Sequence, residues 1–398
     1  MTAQTTTVGV GLLGTAFMGR AHAHAYRTLE AMAAPLPAPL VLQAVAGRDA
    51  RRTHEFAARF GVAHPSTDWH AVIDDPAVTV FDNVGPNHLH AEPTLAALEA
   101  GKHVVCEKPL ALNAQEAWEL LTAARRAGVK HMCAFNYRFV PAVKLARELI
   151  AEGRVGEIRH FRARYLQDWL VDPAAEVTWR LRSDHAGSGA LGDLGSHIID
   201  LARFLVGEIT AVSGATQTFV HERGGERADV DEAFQALIGF ESGASGTLEA
   251  SRVCPGRANS LVFEINGTEG TLVFDLERLN ELWVHRGDGP HQLRGLQRVL
   301  VTDPSQPGLA GWWPPGHVLG WEHTFIDELH HFLSAVMTGG EVGPDGATFE
   351  DGYQAAVVCD AVLAAARSGA AQHVVPAAGP SLTTDNGDRT PHDRRVTT

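Results

Sequence analysis

At 398 residues, with 45% hydrophobic and 20% charged residues, the chain has the composition of a soluble globular protein and enough length for two domains of ordinary size. A formal net charge of -14 argues against nucleic acid or an anionic membrane held by a basic surface, because counterion release needs clustered Lys and Arg. No run approaches the roughly 20 apolar residues of a membrane helix, and residues 1–7 lack the basic and apolar segments of a leader, so the expectation is a cytoplasmic protein.

Residues 5–13 read as a strand buried on both faces, followed by a glycine turn and an alanine-rich helix from Arg20. The literal Gly9-Val10-Gly11-Leu12-Leu13-Gly14 repeat lies inside that strand, where no phosphate reaches. The register that fits a dinucleotide turn is Gly14-x-Ala16-Phe17-Met18-Gly19: Gly14 turns, small Ala16 admits a pyrophosphate, and Gly19 lets helix and strand pack closely. A second strand over 39–46 ends in Gly47-Arg48-Asp49, where a dinucleotide fold meets the adenosine ribose. An acid directly after the strand would accept the ribose hydroxyls of NAD. With Gly47 there and Arg48 able to pair with a 2′-phosphate, the expectation favours NADP, with NAD as the alternative if Asp49 takes the ribose.

The α/β alternation continues: a helix over 50–60, a strand over 78–84 leading into Gly85-Pro86-Asn87-His88-Leu89-His90, a helix over 93–99, a strand over 104–106, and a helix over 113–127 with Asn113 as its cap. The strand at 104–106 ends in Glu107-Lys108-Pro109. Proline cannot continue the ladder, so Lys108 is expected at a strand's carboxyl end, the edge where open α/β sheets bind ligands. A further strand over 130–135 brings Asn136-Tyr137-Arg138 to the same edge.

After a helix over 141–152 the texture turns β-rich. Segments such as 158–165, 233–240, 244–251, 261–266 and 271–274 alternate apolar and polar residues, which predicts a mostly antiparallel sheet with one face open. That face suits self-association into a dimer or tetramer. The expected fold is therefore α/β: a Rossmann domain over 1–136, an α/β domain with an open-faced sheet over 137–376 for substrate and oligomerisation, and a disordered tail over 377–398. Two amphipathic helices, over 322–337 and 352–368, close the second domain.

A glycine-rich loop, 187–195, runs into a helix. Leu194, Ile198, Leu201 and Leu205 form its buried stripe, and Asp193 and His197 share a neighbouring face, an Asp and a His four residues apart that can hydrogen-bond directly. Taken with Lys108, they supply a cation to polarise an oxygen and a group to move its proton, the two functions that hydride transfer from an alcohol needs. Cys106, Cys133, Cys254 and Cys359 contain no Cys-x-x-Cys pair, and none of the closely spaced histidines forms an i,i+4 pair, so no metal is expected.

With those residues placed, the chain resembles the Gfo/Idh/MocA family of nicotinamide-dependent sugar and cyclitol oxidoreductases over residues 8–375. The motifs that carry the resemblance are Gly14-x-Ala16-x-Met18-Gly19-x-x-His22, Pro86-Asn87-x-x-His90, Ala100-Gly101-Lys102-His103-Val104-x-x-Glu107-Lys108-Pro109, Asn136-Tyr137-Arg138-Phe139-x-Pro141-Ala142 and the stretch from Gly187 to His197 with Asp200. The resemblance implies catalytic positions at Lys108, Asp193 and His197, and coenzyme-side positions at Pro86, Asn87, His90, Glu107, Asn136 and the Trp179-Arg180 pair. The stretches 165–169, 186–193 and 205–208 look most like a branch that oxidises a pyranose ring hydroxyl, which implies that Gln167 and Trp169 hold the sugar beside Lys108, Asp193 and His197. His323 is expected to line the same pocket. The function expected is hydride transfer between a secondary hydroxyl of a pyranose, anhydrosugar or cyclitol and NADP or NAD; the alternative is a glycosidase that oxidises its substrate transiently.

Overall fold

The computed structural model describes residues 7–29, 36–287, 290, 292, 294–309 and 311–375; the expected disordered tail lies outside the described residues. Strands β1 (Val8–Leu13), β2 (Leu40–Ala46), β3 (His64–Ser66), β4 (Val80–Asn83), β5 (His103–Glu107) and β6 (His131–Ala134) form a parallel sheet in the order β3-β2-β1-β4-β5-β6. Helices α1 (Phe17–Leu29), α2 (Ala50–Phe60), α3 (His70–Asp74), α4 (Ala91–Glu99) and α5 (Ala114–Ala127) connect them. Such a sheet is covered on both faces, and every residue of β1 and of β4 is buried. Strand order reverses between β1 and β4, and ligands of open α/β sheets bind in the crevice at the carboxyl ends of strands around such a reversal.

Close backbone contacts explain the glycines of β1 and its turn. A Cβ at Gly9 would lie 1.9 Å from the Ala77 carbonyl oxygen, so that glycine serves packing rather than phosphate binding. Gly14 has φ of 120°, open to glycine and rarely to other residues, and a Cβ at Gly19 would lie 2.2 Å from the Gly14 oxygen. Residues 14–19 thus form the tight strand-to-helix turn. The short β3 and α3 were not anticipated, because three residues containing a proline and a five-residue helix carry no usable periodicity.

The second sheet comprises β7 (Ile158–Leu166), β8 (Ile209–Gln217), β11 (Ala233–Phe240), β12 (Ser245–Ser251), β13 (Ser260–Gly267), β14 (Gly270–Asp275), β15 (Glu281–Arg286), β16 (Gln297–Leu300) and β17 (Gln372–His373), with a separate hairpin of β9 (Glu222–Arg223) and β10 (Glu226–Arg227). Its order is β16-β15-β14-β13-β7-β12-β11-β8-β17, and only the β7–β12 pairing is parallel. The remaining helices are α6 (Pro141–Ala151), α7 (Ser183–Ala186), α8 (Ser196–Leu205), α9 (Glu322–Thr338) and α10 (Phe349–Ser368). Helix α8 packs against β7, and α10 against β8 and α5. The other face carries Arg162, Arg164, Glu249, Glu264 and a largely exposed Leu237, the open face that alternation predicts. Helix α9 returns to the first sheet: Phe325, Leu329 and Phe332 share a core with Val10, Val80 and Val105.

One guanidinium ties these parts together. Buried Arg138, just after β6, donates to both carboxylate oxygens of Asp200 in α8, at 2.9 and 2.5 Å, and to Asp351 in the first turn of α10 at 3.0 Å. Replacing Asp200 by Ala leaves a buried cation half paired and is expected to lower stability by about 3–5 kcal/mol. An unchanged urea midpoint in that variant would remove Arg138 as the tie.

Candidate active site

Strand β5 ends in a fixed register because its last residue is held on both sides. Glu107 is buried; its Oε2 accepts the Lys108 backbone N–H at 3.0 Å, and its Oε1 lies 3.1 Å from His22 Nε2. His22 Nδ1 lies 2.8 Å from Asp82 Oδ2. Burial works to lower the His22 pKa, but Asp82 and then Glu107 raise it well above the ordinary imidazole value, so an imidazolium sits between two carboxylates beneath the sheet edge. His90 adds a second clamp: Nδ1 lies 2.7 Å from the Pro109 oxygen and Nε2 3.0 Å from the Gly85 oxygen, joining the loop after β4 to the residue after Lys108.

Held there, Lys108 reaches the second domain. Its Nζ donates to Asp193 Oδ1 at 2.9 Å and to the Asp193 carbonyl oxygen at 3.0 Å. Arg252, buried at the end of β12, donates to the other carboxylate oxygen at 2.9 Å and to the Arg180 carbonyl at 3.2 Å. Burial works to raise the Asp193 carboxyl, but Lys108, Arg252 and Arg180 together hold it well below the usual carboxylate range. Asp193 is therefore an ion shared by cations from both domains.

His197 stands beside this cluster in a different state. Burial, with the charge of Lys108 adding to it and that of Asp193 opposing, pushes its pKa well below 6.5, so the imidazole is neutral. Its ring packs against Tyr137 and Tyr165 at centroid distances of 4.7 and 5.8 Å, and Nδ1 is enclosed without a hydrogen-bond partner. The direct Asp193–His197 hydrogen bond that four-residue spacing permits is not formed. Residues Leu191–Gly195 make a wide π turn before α8 begins at Ser196, and both carboxylate oxygens of Asp193 are taken by Lys108 and Arg252 instead.

Both parts of the chain match known proteins. Residues 8–135 match the model of an oxidoreductase family with an NAD-binding Rossmann fold, and residues 143–273 match the GFO/IDH/MocA C-terminal domain. Levoglucosan dehydrogenase of Pseudarthrobacter phenanthrenivorans is 43% identical over 378 residues, 90% of this chain and 96% of that protein. The chain belongs to the Gfo/Idh/MocA family. A solved structure of levoglucosan dehydrogenase in complex with NADH and levoglucosan has a TM-score of 0.90 and 43% identity, covering 92% of this chain and 99% of that one. The scyllo-inositol 2-dehydrogenase (NAD(+)) of Bacillus subtilis is 32% identical over 289 residues, 72% of this chain and 76% of that protein.

Most of the residues expected to face a coenzyme follow the carboxyl ends of β1, β2, β4, β5 and β6. The Gly14 to Gly19 turn admits backbone where a Cβ would collide, and Ala16 and Phe17 are exposed at the amino end of α1, beside Met18. Phe17 stacks on Trp321 at 5.6 Å with planes 12° apart. A Cβ at Gly47 would lie 2.5 Å from Thr53 Oγ1, so a side chain there requires Thr53 to shift. Arg48 is exposed, and Asp49 accepts from the Arg52 backbone N–H at 2.8 Å as the cap of α2. Pro86 precedes Asn87, whose amide donates to the Ala186 carbonyl at 3.0 Å across the domain boundary. Asn136 donates to Thr324 at 2.8 Å, and the Arg180 guanidinium lies over the Trp179 ring at 4.4 Å. Glu107 belongs to the anchor behind this face, with both oxygens engaged within the protein.

Of the residues expected to hold a substrate, Gln167 and Trp169 join the cluster, since the Trp169 indole donates to Gln167 at 2.9 Å and the Arg252 guanidinium lies 5.2 Å from the Trp169 ring. His323 is not joined to it. Its Nδ1 accepts from Gly320 N–H at 3.1 Å and its ring meets Trp312 at 4.5 Å, because α9 turns it towards its own preceding loop. Among the described residues no group of three or more His, Cys, Asp or Glu side chains could hold a metal ion. Sequence reading missed Arg252, Tyr137 and Tyr165. A lone arginine at a strand end has no local signature, whereas Tyr137 lay inside a quoted motif. Arg252→Leu leaves Lys108 as the cation hydrogen-bonded to Asp193 and removes the donor to the Arg180 carbonyl, and is expected to lower stability by about 2–4 kcal/mol in urea unfolding; a wild-type midpoint would show that Asp193 does not need it.

Proposed function

We propose that this chain is a dehydrogenase for a secondary hydroxyl of a pyranose, anhydrosugar or cyclitol, with a nicotinamide dinucleotide as the hydride acceptor. The observation that carries the reading is the meeting of Lys108 from the first domain with Asp193 from the second at 2.9 Å, beside a neutral, buried His197. The dinucleotide supplies hydride acceptance at its nicotinamide when bound to the Gly14–Gly19 turn. Lys108 donates a hydrogen bond to the substrate oxygen and lowers the cost of negative charge developing there. Asp193, kept ionised, holds the lysine ammonium in place. His197 takes the hydroxyl proton at Nε2, since Nδ1 is enclosed. Likeness to levoglucosan dehydrogenase and scyllo-inositol 2-dehydrogenase supports the substrate class.

The test is steady-state oxidation across a panel of pyranoses, anhydrosugars and inositols, followed by absorbance of the reduced nicotinamide. Lys108→Ala and His197→Ala should each reduce kcat by at least about 100-fold while coenzyme binding, read by fluorescence, is retained. Because the His197 pKa is depressed, the neutral base persists through neutral pH. The rate of oxidation should fall only below the ordinary imidazole range as the ring becomes protonated, and a decline already complete at pH 7 would remove His197 as the acceptor. Sugar release without accumulation of reduced nicotinamide would replace this reading with the transient-oxidation glycosidase.

For the coenzyme we propose that Arg48 lets the site take NADP as well as NAD. It is the exposed cation after β2, and Gly47 leaves no acid to repel a 2′-phosphate. Arg48→Ala should raise the Kd for NADP about tenfold and that for NAD by less than about twofold. Equal effects on both, or none, would leave the preference without a residue.

A further inference from the structure

Trp321, the residue that caps α9, lies where three parts of the site come together. Its indole stacks on Phe17 of the Gly14–Gly19 turn, with ring centroids 5.6 Å apart and planes 12° from parallel. It meets Phe325 at 4.6 Å and 67°, and Phe325 in turn meets, at 5.5 Å, the His22 ring that holds Glu107 beneath Lys108. The third neighbour is Tyr137. The indole N–H is enclosed and finds no partner of full hydrogen-bond geometry, yet it lies near enough to the Tyr137 hydroxyl to oppose the rise that burial imposes on that phenol's pKa. The Tyr137 ring packs on His197 at 4.7 Å.

The indole is itself held from behind. Trp321 packs against both large hydrophobic cores. Its backbone carbonyl accepts from Thr324 Oγ1 at 2.7 Å, and the same hydroxyl accepts from the Asn136 amide at 2.8 Å, which ties the start of α9 to the residue before Tyr137. Phe17, by contrast, is 55% exposed, so an indole fixed by the fold is stacked on a ring that the fold leaves largely open.

We propose that Trp321 is a positioning residue: by holding Phe17 on one side and backing the Tyr137–His197 contact on the other, its indole sets the dinucleotide turn and the proton acceptor at the spacing that hydride and proton transfer from one carbinol require. The inference rests on the dehydrogenase reading and adds to it a group that acts through Phe17 and Tyr137 rather than on the substrate. Such a group matters because a displacement of about 1 Å between reacting partners can cost a rate about a hundredfold.

A double-variant cycle tests it. Trp321→Leu keeps an apolar side chain against the two cores and removes the ring, and Phe17→Leu removes the other half of the stack. Each should raise the coenzyme Kd, read by calorimetry, about fivefold and lower kcat for the best substrate of the sugar and cyclitol panel about tenfold, with KM for that substrate within about threefold of wild type. Because both act through one contact, the double variant should be within about threefold of the weaker single variant in kcat and in Kd, whereas independent losses would multiply to about a hundredfold in kcat. Trp321→Phe, which keeps a ring for Phe17 and Phe325, should bring kcat back to within about threefold of wild type. Multiplied losses in the double variant, no recovery in Trp321→Phe, or wild-type kcat and Kd in Trp321→Leu overturn the proposal and leave the dehydrogenase reading standing. A wild type that oxidises no compound of the panel overturns that reading, and with it the spacing argument. Should Trp321→Leu fail to fold, Phe17→Leu decides alone, and wild-type kcat and Kd in that variant refute the assignment.

Discussion

The site depends on one carboxylate being claimed from two directions. Asp193 gives one oxygen to Lys108 of the first domain and the other to Arg252 of the second. A single carboxylate cannot neutralise Lys108, Arg252 and Arg180 together, so the cleft keeps an excess of positive charge beside His197. That excess favours an alkoxide developing on an alcohol bound there, while burial, with Lys108 adding to it and Asp193 opposing, keeps the imidazole unprotonated, the only state in which a histidine can accept a proton.

Two histidines of equal enclosure show how far neighbours decide the outcome. His22 and His197 are both buried, and burial alone drives either ring to neutrality. His22 lies between Asp82 and Glu107 and is raised well above the ordinary value, whereas His197 faces Lys108 and is lowered. The first becomes a fixed charge that holds α1, β4 and β5 together. The second stays free to titrate during a reaction. Placing the cation of His22 one layer beneath Lys108 also leaves Glu107 occupied, so Lys108 meets Asp193 as its acidic partner.

Much of this was legible in the sequence where the signal was local. The buried β1, the turn at Gly14 to Gly19, and the stop that Pro109 imposes after Lys108 each follow from neighbouring residues alone, and each stands where expected. Alternation along 158–165 and 233–240 marked the open sheet. What escaped was long-range. Arg252 reaches Asp193 across 59 residues of chain, and Asn259 gathers Tyr165 and Gln167 from a strand more than 90 residues earlier. The expected Asp193–His197 bond is not formed because Lys108 and Arg252, both far away in sequence, claim the two carboxylate oxygens of Asp193. His323 lies apart from the Lys108–Asp193 cluster, its Nδ1 accepting from Gly320 and its ring against Trp312.

The division of labour between the domains follows from these contacts. In the proposed reaction the first supplies the turn for a dinucleotide and the lysine, and the second supplies the proton acceptor. Neither half holds a complete site. The Lys108–Asp193 pair and the Asn87–Ala186 bond cross the boundary, while Arg138 and the return of α9 to the first core fix the two sheets relative to each other. Rigid placement has a specific benefit here, because hydride and proton leave the same carbinol in different directions and their acceptors must be positioned independently. A fold that anchors one acceptor on each sheet, and ties the sheets by an ion pair, a hydrogen bond and a shared helix, meets that requirement with few moving parts.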